Sequence, residues 1–220
     1  MVRPLIIVGA GGLGSQLVER VLSDPANGTI FRLTGLYDDR ASKGSDIERW
    51  SDAFNYQLSH YSDISALPIS RRAWFVPAIG NPFEKEKYVR FIEGLGGVFV
   101  SLRHIDNEFA HTANVGESII FKDCVIGPDT KIGDYVWFDR NSILSHGSTI
   151  DDFCHIGPNV TIGGNVSIGS NSIVHSGALI ANNIKIGNGC VIGLGSVVLR
   201  DVPNGKIVLG NPARVVSNVR

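Results

Sequence analysis

The chain has 220 residues, of which 43% are hydrophobic, and its 20 Lys and Arg residues nearly balance its 21 Asp and Glu residues. This balance argues against nucleic acid or an anionic membrane surface as a partner, and no apolar run approaches the ~20 residues of a membrane span. Because the first residues are too few and too glycine-rich for a secretory signal, we expect a cytoplasmic protein.

The first hundred residues alternate short apolar runs with helical patterns. Strand–helix alternation indicates βαβ units around a parallel sheet. We therefore predict a Rossmann-like α/β domain over residues 1–103, with a polar segment at 40–70 that carries no clear element. The predicted strands are 5–8, 31–37, 74–79 and 98–102, and the predicted helices are 13–22 and 82 to about 93.

A glycine-rich turn, Gly9–Gly14, follows the first predicted strand and opens the first helix. Such a turn suits a phosphate at the helix N-terminus, and Asp38 after the second strand suits a ribose hydroxyl. A redox enzyme with a dinucleotide is one interpretation, but the domain has too few strands for a two-lobed dinucleotide site. A half-site for a nucleotide-linked sugar is the favoured interpretation. The remaining alternative is that the glycines only permit close packing of helix and strand.

From Ile120 onwards the sequence follows a strict six-residue period. Every sixth residue up to Val198 is large and apolar, at fourteen successive positions without an insertion. A short period held over this length indicates a solenoid. Three six-residue units close one coil of 18 residues, and coils stack at the strand spacing of ~4.8 Å. We predict a parallel β-helix over residues 104–220.

The position two before each large apolar residue is mostly small or β-branched, and the three cysteines fall there. Cys124, Cys154 and Cys190 are therefore interpreted as packing residues, with a catalytic thiol as the alternative. Neither they nor the histidines have the spacing of metal ligands, so no metal site is expected.

The repeat resembles that of the hexapeptide-repeat acyltransferases, as VIGPDT, KIGDYV and SIGSNS illustrate. A short Rossmann-like domain before such repeats is similar to the sialic acid O-acetyltransferase and bacillosamine N-acetyltransferase (NeuD/PglD-like) family. The resemblance rests on the GAGGLG turn, the Asp38–Asp39 pair, AIGN at 78–81, SHG at 145–147 and the GNPAR segment ending at Arg214. It implies a left-handed coil, acetyl-CoA as co-substrate, a nucleotide sugar as acceptor and a homotrimer with sites between subunits.

His146 is the candidate general base, since a neutral imidazole suits removal of a proton from an attacking amine. The period alone places it one coil from Gly164, which leaves room for a thioester and exposes a backbone N–H as an oxyanion donor. The resemblance also implies that the base lies here. It further implies an acid after this histidine, but the chain has Gly147, and Asp139 is the nearest candidate to replace that acid. The alternative is that His146 is a solvated turn residue.

The resemblance implies further roles. Acetyl-CoA would contact four residues: His155, Gly164, Ser176 and Arg214. The nucleotide sugar would contact five: Gly12, Leu13, Gly14, Asp38 and Asp39. The predicted function is N-acetylation of a sugar amine, with two alternatives: O-acetylation of a sialic acid or related sugar hydroxyl, and, because of Gly147, non-catalytic binding of a nucleotide sugar.

Overall fold

The computed structural model describes residues 2–24, 26–39, 51–52, 56–69 and 73–219. The chain divides into two compact units, Met1–Val100 and Ser101–Arg220, close to the boundary predicted after residue 103. No helix in the described part of the chain is long and apolar enough to cross a membrane.

The first unit contains a five-stranded parallel sheet with the strand order β3-β2-β1-β4-β5. Its strands are β1 Arg3–Val8, β2 Phe31–Tyr37, β3 Ser59–Tyr61, β4 Trp74–Pro77 and β5 Val98–Phe99, and its helices are α1 Gly12–Leu22, α2 Pro82–Gly94 and a 3₁₀ turn at Ile64–Ala66. Strand β3 was not predicted, because three residues reading Ser-His-Tyr show no apolar alternation. Residues 40–50, 53–55 and 70 of the polar segment around it lie outside the described residues.

Strand β1 has the apolar composition of a central strand, in agreement with its place in the sheet. Leu5–Val8 is fully buried, as expected of a central parallel strand with both faces covered. Helix α1 buries the face that carries Leu17, Val18 and Val21. Helix α2 starts where the Asn81 side chain accepts hydrogen bonds from the backbone N–H groups of residues 83 and 84, and Pro82 needs no partner at the first helical position.

The second unit winds two-residue strands into three parallel sheets, which form the three faces of a prism. Face 1 contains β6 Leu102–Arg103, β9 Ile119–Ile120, β12 Trp137–Phe138, β15 His155–Ile156, β18 Ile173–Val174, β21 Val191–Ile192, β23 Lys206–Gly210 and β24 Ala213–Asn218. Face 2 contains β7 Glu108–Phe109, β10 Val125–Ile126, β13 Ile143–Leu144, β16 Thr161–Ile162, β19 Leu179–Ile180 and β22 Val197–Val198. Face 3 contains β8 Asn114–Val115, β11 Lys131–Ile132, β14 Thr149–Ile150, β17 Ser167–Ile168 and β20 Lys185–Ile186.

The register of these strands confirms the predicted coil. Ile126 pairs with Leu144, and Leu144 pairs with Ile162, each 18 residues further along the chain. All fourteen apolar positions of the six-residue period are no more than 3% exposed. The predicted fold, an α/β Rossmann-like domain followed by a left-handed parallel β-helix, is confirmed.

The buried serines of the period tie successive coils together. The Ser172 hydroxyl donates to the carbonyl of Gly187 at 2.9 Å and accepts the backbone N–H of Cys190 at 3.0 Å. Ser142 and Ser148 make the same pair of bonds. Each hydroxyl donates to the carbonyl 15 residues further along the chain and accepts the backbone N–H 18 residues further along. Each hydroxyl therefore satisfies two backbone groups that would otherwise lack a partner in the core.

The cysteines occupy the same position as these serines. All three are buried, and the thiol of Cys154 donates to the Gly169 carbonyl at 3.2 Å, in the direction that the serine hydroxyls take. Burial raises the pKa of the Cys124 thiol to about 11, so it stays protonated at neutral pH. These contacts favour the packing interpretation over a catalytic thiol.

Candidate functional site

A crevice of 250 Å³ opens in the first unit where β1 and β2 end. The carboxyl ends of the strands in an open parallel sheet are where such folds bind ligands. The residues around this crevice are Val8, Gly9, Tyr37, Asp38, Asp39, Ile79, Glu84 and Tyr88. The structure thus brings both aspartates of the predicted pair to one opening.

The two aspartates have different surroundings. Asp38 is 3% exposed, and its Oδ2 atom accepts the backbone N–H of Ala10 at 2.8 Å, which fixes the glycine-rich turn against β2. Asp39 is exposed and accepts a hydrogen bond from the hydroxyl of Tyr88. That hydrogen bond and burial raise the pKa of Tyr88 well above its usual range. Tyr88 therefore keeps its proton and acts as a donor to Asp39.

Tyr88 and Glu84 were missed in the sequence interpretation. They lie four residues apart on α2, and residues with this spacing share one helix face. Because Asn81 marks the start of α2 in the sequence, the spacing of Glu84 and Tyr88 was a usable signal that the two side chains share a face. The Tyr88 ring also meets the Tyr37 ring edge-on, with 6.0 Å between ring centroids, so an aromatic pair forms one wall of the crevice.

A second crevice of 540 Å³ lies between the start of α1 and the segment that precedes α2. Gly12 and Leu13 line it, together with Gly80 and Asn81. The residue that precedes α1, Gly11, provides no side-chain cap. The first backbone N–H groups of α1 therefore have no acceptor among the described residues, and they suit a phosphate.

Two glycines of the turn are required by packing rather than by a ligand. A Cβ atom on Gly14 would lie 2.3 Å from the Gly9 carbonyl oxygen. Gly9 itself has φ +110°, and a Cβ atom there would lie 2.7 Å from the Ala78 carbonyl oxygen. Gly12 has nothing within 4 Å of its Cβ position. The packing alternative therefore holds for Gly9 and Gly14, and Gly14 is not among the residues that line the crevice.

His146 lies in the second unit, on the turn between faces 2 and 3, and it is exposed. Its ring covers Gly164, one coil further on: a Cβ atom on Gly164 would lie 2.5 Å from Nε2 and 2.6 Å from Cε1 of His146. Only glycine at 164 allows this position of the ring. The imidazole has no hydrogen-bond partner in the described part of the chain.

The expectation that Gly164 offers a free backbone N–H is wrong. That N–H donates to the Oδ1 atom of Asn182 at 2.9 Å. The physical reason is the Asn182 side chain, which accepts a backbone N–H of the preceding coil just as Asp134 and Asp152 do on the turn between faces 3 and 1. A donor to a developing oxyanion must come from elsewhere.

Asp139 does not lie beside His146 within one subunit. It follows β12 on the turn between faces 1 and 2, whereas His146 follows β13 on the next turn of the prism. The Oδ1 atom of Asp139 accepts the backbone N–H of Arg140 at 2.7 Å, and its side chain is 7% exposed. No hydrogen bond joins the two side chains among the described residues.

Of the four residues expected to contact acetyl-CoA, Gly164 lies beside His146, and the other three form a second group. His155 lies on face 1, with its ring parallel to that of Trp137 at 5° and 5.9 Å between centroids. Ser176 lies on the turn between faces 1 and 2, and its backbone N–H has no acceptor among the described residues. Arg214 is an exposed residue of β24, also on face 1. Face 2 separates this group from His146 and Gly164.

The described residues contain no group of three or more His, Cys, Asp and Glu side chains that is arranged to hold a metal ion.

Comparison with protein families matches residues 129–164 to the bacterial transferase hexapeptide model of six repeats. The chain carries the bacterial transferase hexapeptide repeat. Residues 129–164 include β11 to β16 and both His146 and Gly164, so the match covers the part of the solenoid that positions the candidate base. No curated protein sequence matches the chain.

Several solved structures share the fold over nearly the whole chain. The acetyltransferase domain of PglB from Neisseria gonorrhoeae is 25% identical, with a TM-score of 0.82, and the match covers 97% of this chain and 100% of that one. The same domain in complex with acetyl coenzyme A is 24% identical, with a TM-score of 0.81 and coverage of 98% and 100%. PerB from Caulobacter crescentus, in complex with CoA and GDP-perosamine, is 24% identical, with a TM-score of 0.82 and coverage of 99% of both chains. The resemblance noted from the sequence is therefore confirmed for the repeat and for the fold.

Proposed function

We propose that this protein transfers the acetyl group of acetyl-CoA to an amino group of a nucleotide-linked sugar. The observation that carries the proposal is the position of His146 Nε2, exposed and directly above Gly164. Glycine at this point leaves the ring open to a thioester and an amine. Two solved structures with this fold support the choice of substrates: one is in complex with acetyl coenzyme A and the other with CoA and GDP-perosamine.

In this mechanism the Nε2 atom of His146 accepts a proton from the sugar amine as its nitrogen attacks the thioester carbonyl carbon. A tetrahedral intermediate forms, the C–S bond breaks, and the imidazolium returns its proton to the departing CoA thiolate. The products are the acetamido sugar and CoA. No acyl-enzyme is required, and the three buried cysteines are not available to form one.

The first unit supplies the binding site for the nucleotide sugar. Free N–H groups at the start of α1, at Gly12 and Leu13, suit the diphosphate. Asp39, held by Tyr88, suits the ribose or base. The acidic crevice at β1 and β2 therefore takes the nucleoside, and the neighbouring crevice takes the phosphates and sugar.

The outer surface of the prism supports a homotrimer. On face 2 the outward residues Val125, Ile143 and Leu179 are 37%, 38% and 47% exposed, and they form an apolar column that Thr161 interrupts between Ile143 and Leu179. The outward residues of face 3 are polar, among them Lys131 and Lys185. An exposed apolar column of this kind needs cover, and a second copy of the chain is the occupant that the family resemblance implies.

A trimer also explains why the candidate residues fall into two groups. His146 and Gly164 lie at one edge of face 2, and His155 and Ser176 lie at or beyond the other edge. Packing face 2 of one subunit against face 1 of its neighbour brings the two groups to one groove. Acetyl-CoA would then bind between subunits, with Arg214 available to a CoA phosphate, and Asp139 would reach His146 only from the neighbouring subunit. We place the activity in the cytoplasm, where acetyl-CoA is available.

The test is release of CoA from acetyl-CoA with a panel of acceptors. The panel contains UDP- and GDP-linked 4-amino sugars, the matching 4-hydroxy sugars, sialic acid and a blank. Release that requires the amine supports the proposal. Release with the hydroxyl sugars or sialic acid alone supports O-acetylation. No release above the blank, with nucleotide sugar bound by calorimetry, supports the non-catalytic alternative that Gly147 suggests.

A further inference from the structure

We propose that Asn165 takes the place of the acid that Gly147 lacks, and that its amide oxygen orients the imidazole of His146. This inference rests on the proposed role of His146 as the base. Asn165 is a positioning residue in this account, since it acts through the ring and does not touch the substrates.

The space that an acidic side chain at 147 would enter is already filled. A Cβ atom built on Gly147 would lie 2.3 Å from the Oδ1 atom of Asn165. Gly147 also has φ +66°, a conformation that favours glycine. Residue 147 therefore has no side chain, and the Oδ1 atom of Asn165 from the next coil lies where such a side chain would begin.

The orientation of the Asn165 amide is fixed from its other side. Its Nδ2 atom donates to the Oδ1 atom of Asn183 at 3.3 Å, one coil further on. The backbone N–H of Asn165 donates to the carbonyl of His146 at 2.9 Å, which ties the residue to the turn that carries the ring. The Oδ1 atom consequently faces Gly147 and accepts no hydrogen bond among the described residues, so it is available to a donor on this turn.

The donor that the proposal assigns to this oxygen is the Nδ1–H group of His146, which has no hydrogen-bond partner among the described residues. The ring atoms nearest Gly164 are Nε2 and Cε1, which leaves Nε2 to act on the substrates. A hydrogen bond from Nδ1–H to an acceptor holds the tautomer in which Nε2 is the base. In ligand-free enzymes such hydrogen bonds are often long, and they shorten only when the substrate is bound. A neutral amide does this without the negative charge that a carboxylate would place beside the ring.

The variants that test this are Asn165→Gly and Asn165→Asp. Glycine tolerates the positive φ of +57° at this position, so the substitution removes the amide without backbone strain. Asn159→Gly is the matched control: it also has φ +57°, but it lies on the turn between faces 1 and 2. Asp139→Asn tests the competing acid.

With the full-length protein, we expect Asn165→Gly to lower kcat at least tenfold while KM for both substrates changes less than twofold. Asn165→Asp should keep activity and move the acid limb of the kcat profile to higher pH by at least half a unit, because a carboxylate stabilises the imidazolium. Adding Gly147→Asp to Asn165→Gly should recover part of the lost rate. Asn159→Gly should match the wild-type kcat.

A readout independent of turnover is the ¹⁵N spectrum of the His146 ring. We expect the Nδ1–H tautomer in the wild type with CoA and nucleotide sugar bound, and a mixture of tautomers in Asn165→Gly. If the wild type shows no amine-dependent turnover, the proposed function fails, yet the tautomer still tests Asn165. An unchanged tautomer and kcat in Asn165→Gly, or an acid limb that moves in Asp139→Asn instead, would overturn the inference.

Discussion

The imidazole of His146 lies over Gly164, with Nε2 only 2.5 Å from where a Cβ atom on that glycine would stand. The two residues are 18 apart, and the solenoid alone places them in adjacent coils. A side chain at 164 would occupy the volume of the ring. The His146 ring can therefore take this position only because residue 164 has no Cβ atom.

Gly164→Ala should therefore impair catalysis without unfolding the protein. The new methyl group displaces the ring, and misplacement of a catalytic group by about 1 Å costs roughly 10²-fold in rate. Stability should hold, because the atoms that must move belong to an exposed side chain. Steady-state kcat and thermal unfolding measure the two effects. Gly94→Ala, where nothing lies within 4 Å of the new Cβ atom, is the control; equal kcat in both variants would contradict this account.

Tyr88→Phe should weaken binding of the nucleotide sugar and leave acetyl-CoA binding unchanged. The hydroxyl that holds Asp39 is lost, while the ring that meets Tyr37 remains. A hydrogen bond of this kind contributes about 1 kcal/mol, which corresponds to roughly fivefold in Kd. Calorimetry with UDP- and GDP-sugars measures the change. Tyr61→Phe on β3 is the control, and an equal loss in both variants would show that the effect is not specific to the crevice.

Ser172→Ala should destabilise the second unit by about 1–3 kcal/mol, since it leaves the Gly187 carbonyl and the Cys190 N–H without a partner in the core. Ser172→Cys should cost less, because Cys154 donates to a carbonyl in the equivalent way. Denaturant titration measures both, with Ser167→Ala on the outside of face 3 as control. An equal loss of stability in Ser172→Ala and Ser172→Cys would contradict the stabilising role of the side-chain donor.

Ile143→Lys should dissociate the trimer, because it places a charge in the apolar column of face 2. Thr149→Lys on face 3 should leave assembly intact. Sedimentation equilibrium measures the mass of each. If the proposed site lies between subunits, amine-dependent turnover should fall together with assembly. A trimeric Ile143→Lys protein would mean that face 2 is not the interface.

The six-residue period predicted the whole solenoid core, because burial of one residue in six and stacking after 18 follow directly from the sequence. It also placed His146 next to Gly164. It did not predict that Asn182 takes the Gly164 N–H, since that depends on a side-chain direction. Nor did it separate Gly12, which lines a crevice, from Gly14, which packs against Gly9. The short strand β3 depends on tertiary contacts that no local pattern records, whereas the four-residue spacing of Glu84 and Tyr88 on α2 was a local signal that the sequence interpretation did not use.

The central claim is that His146 is the base, and the most direct test is turnover of His146→Ala with acetyl-CoA and a nucleotide-linked 4-amino sugar. Removal of a general base lowers rates by about 10²–10⁴-fold. We expect a loss in this range in kcat, with CoA binding by calorimetry unchanged and with His111→Ala, at another exposed turn histidine, as active as the wild type. A His146→Ala protein that releases CoA at the wild-type rate would contradict the account.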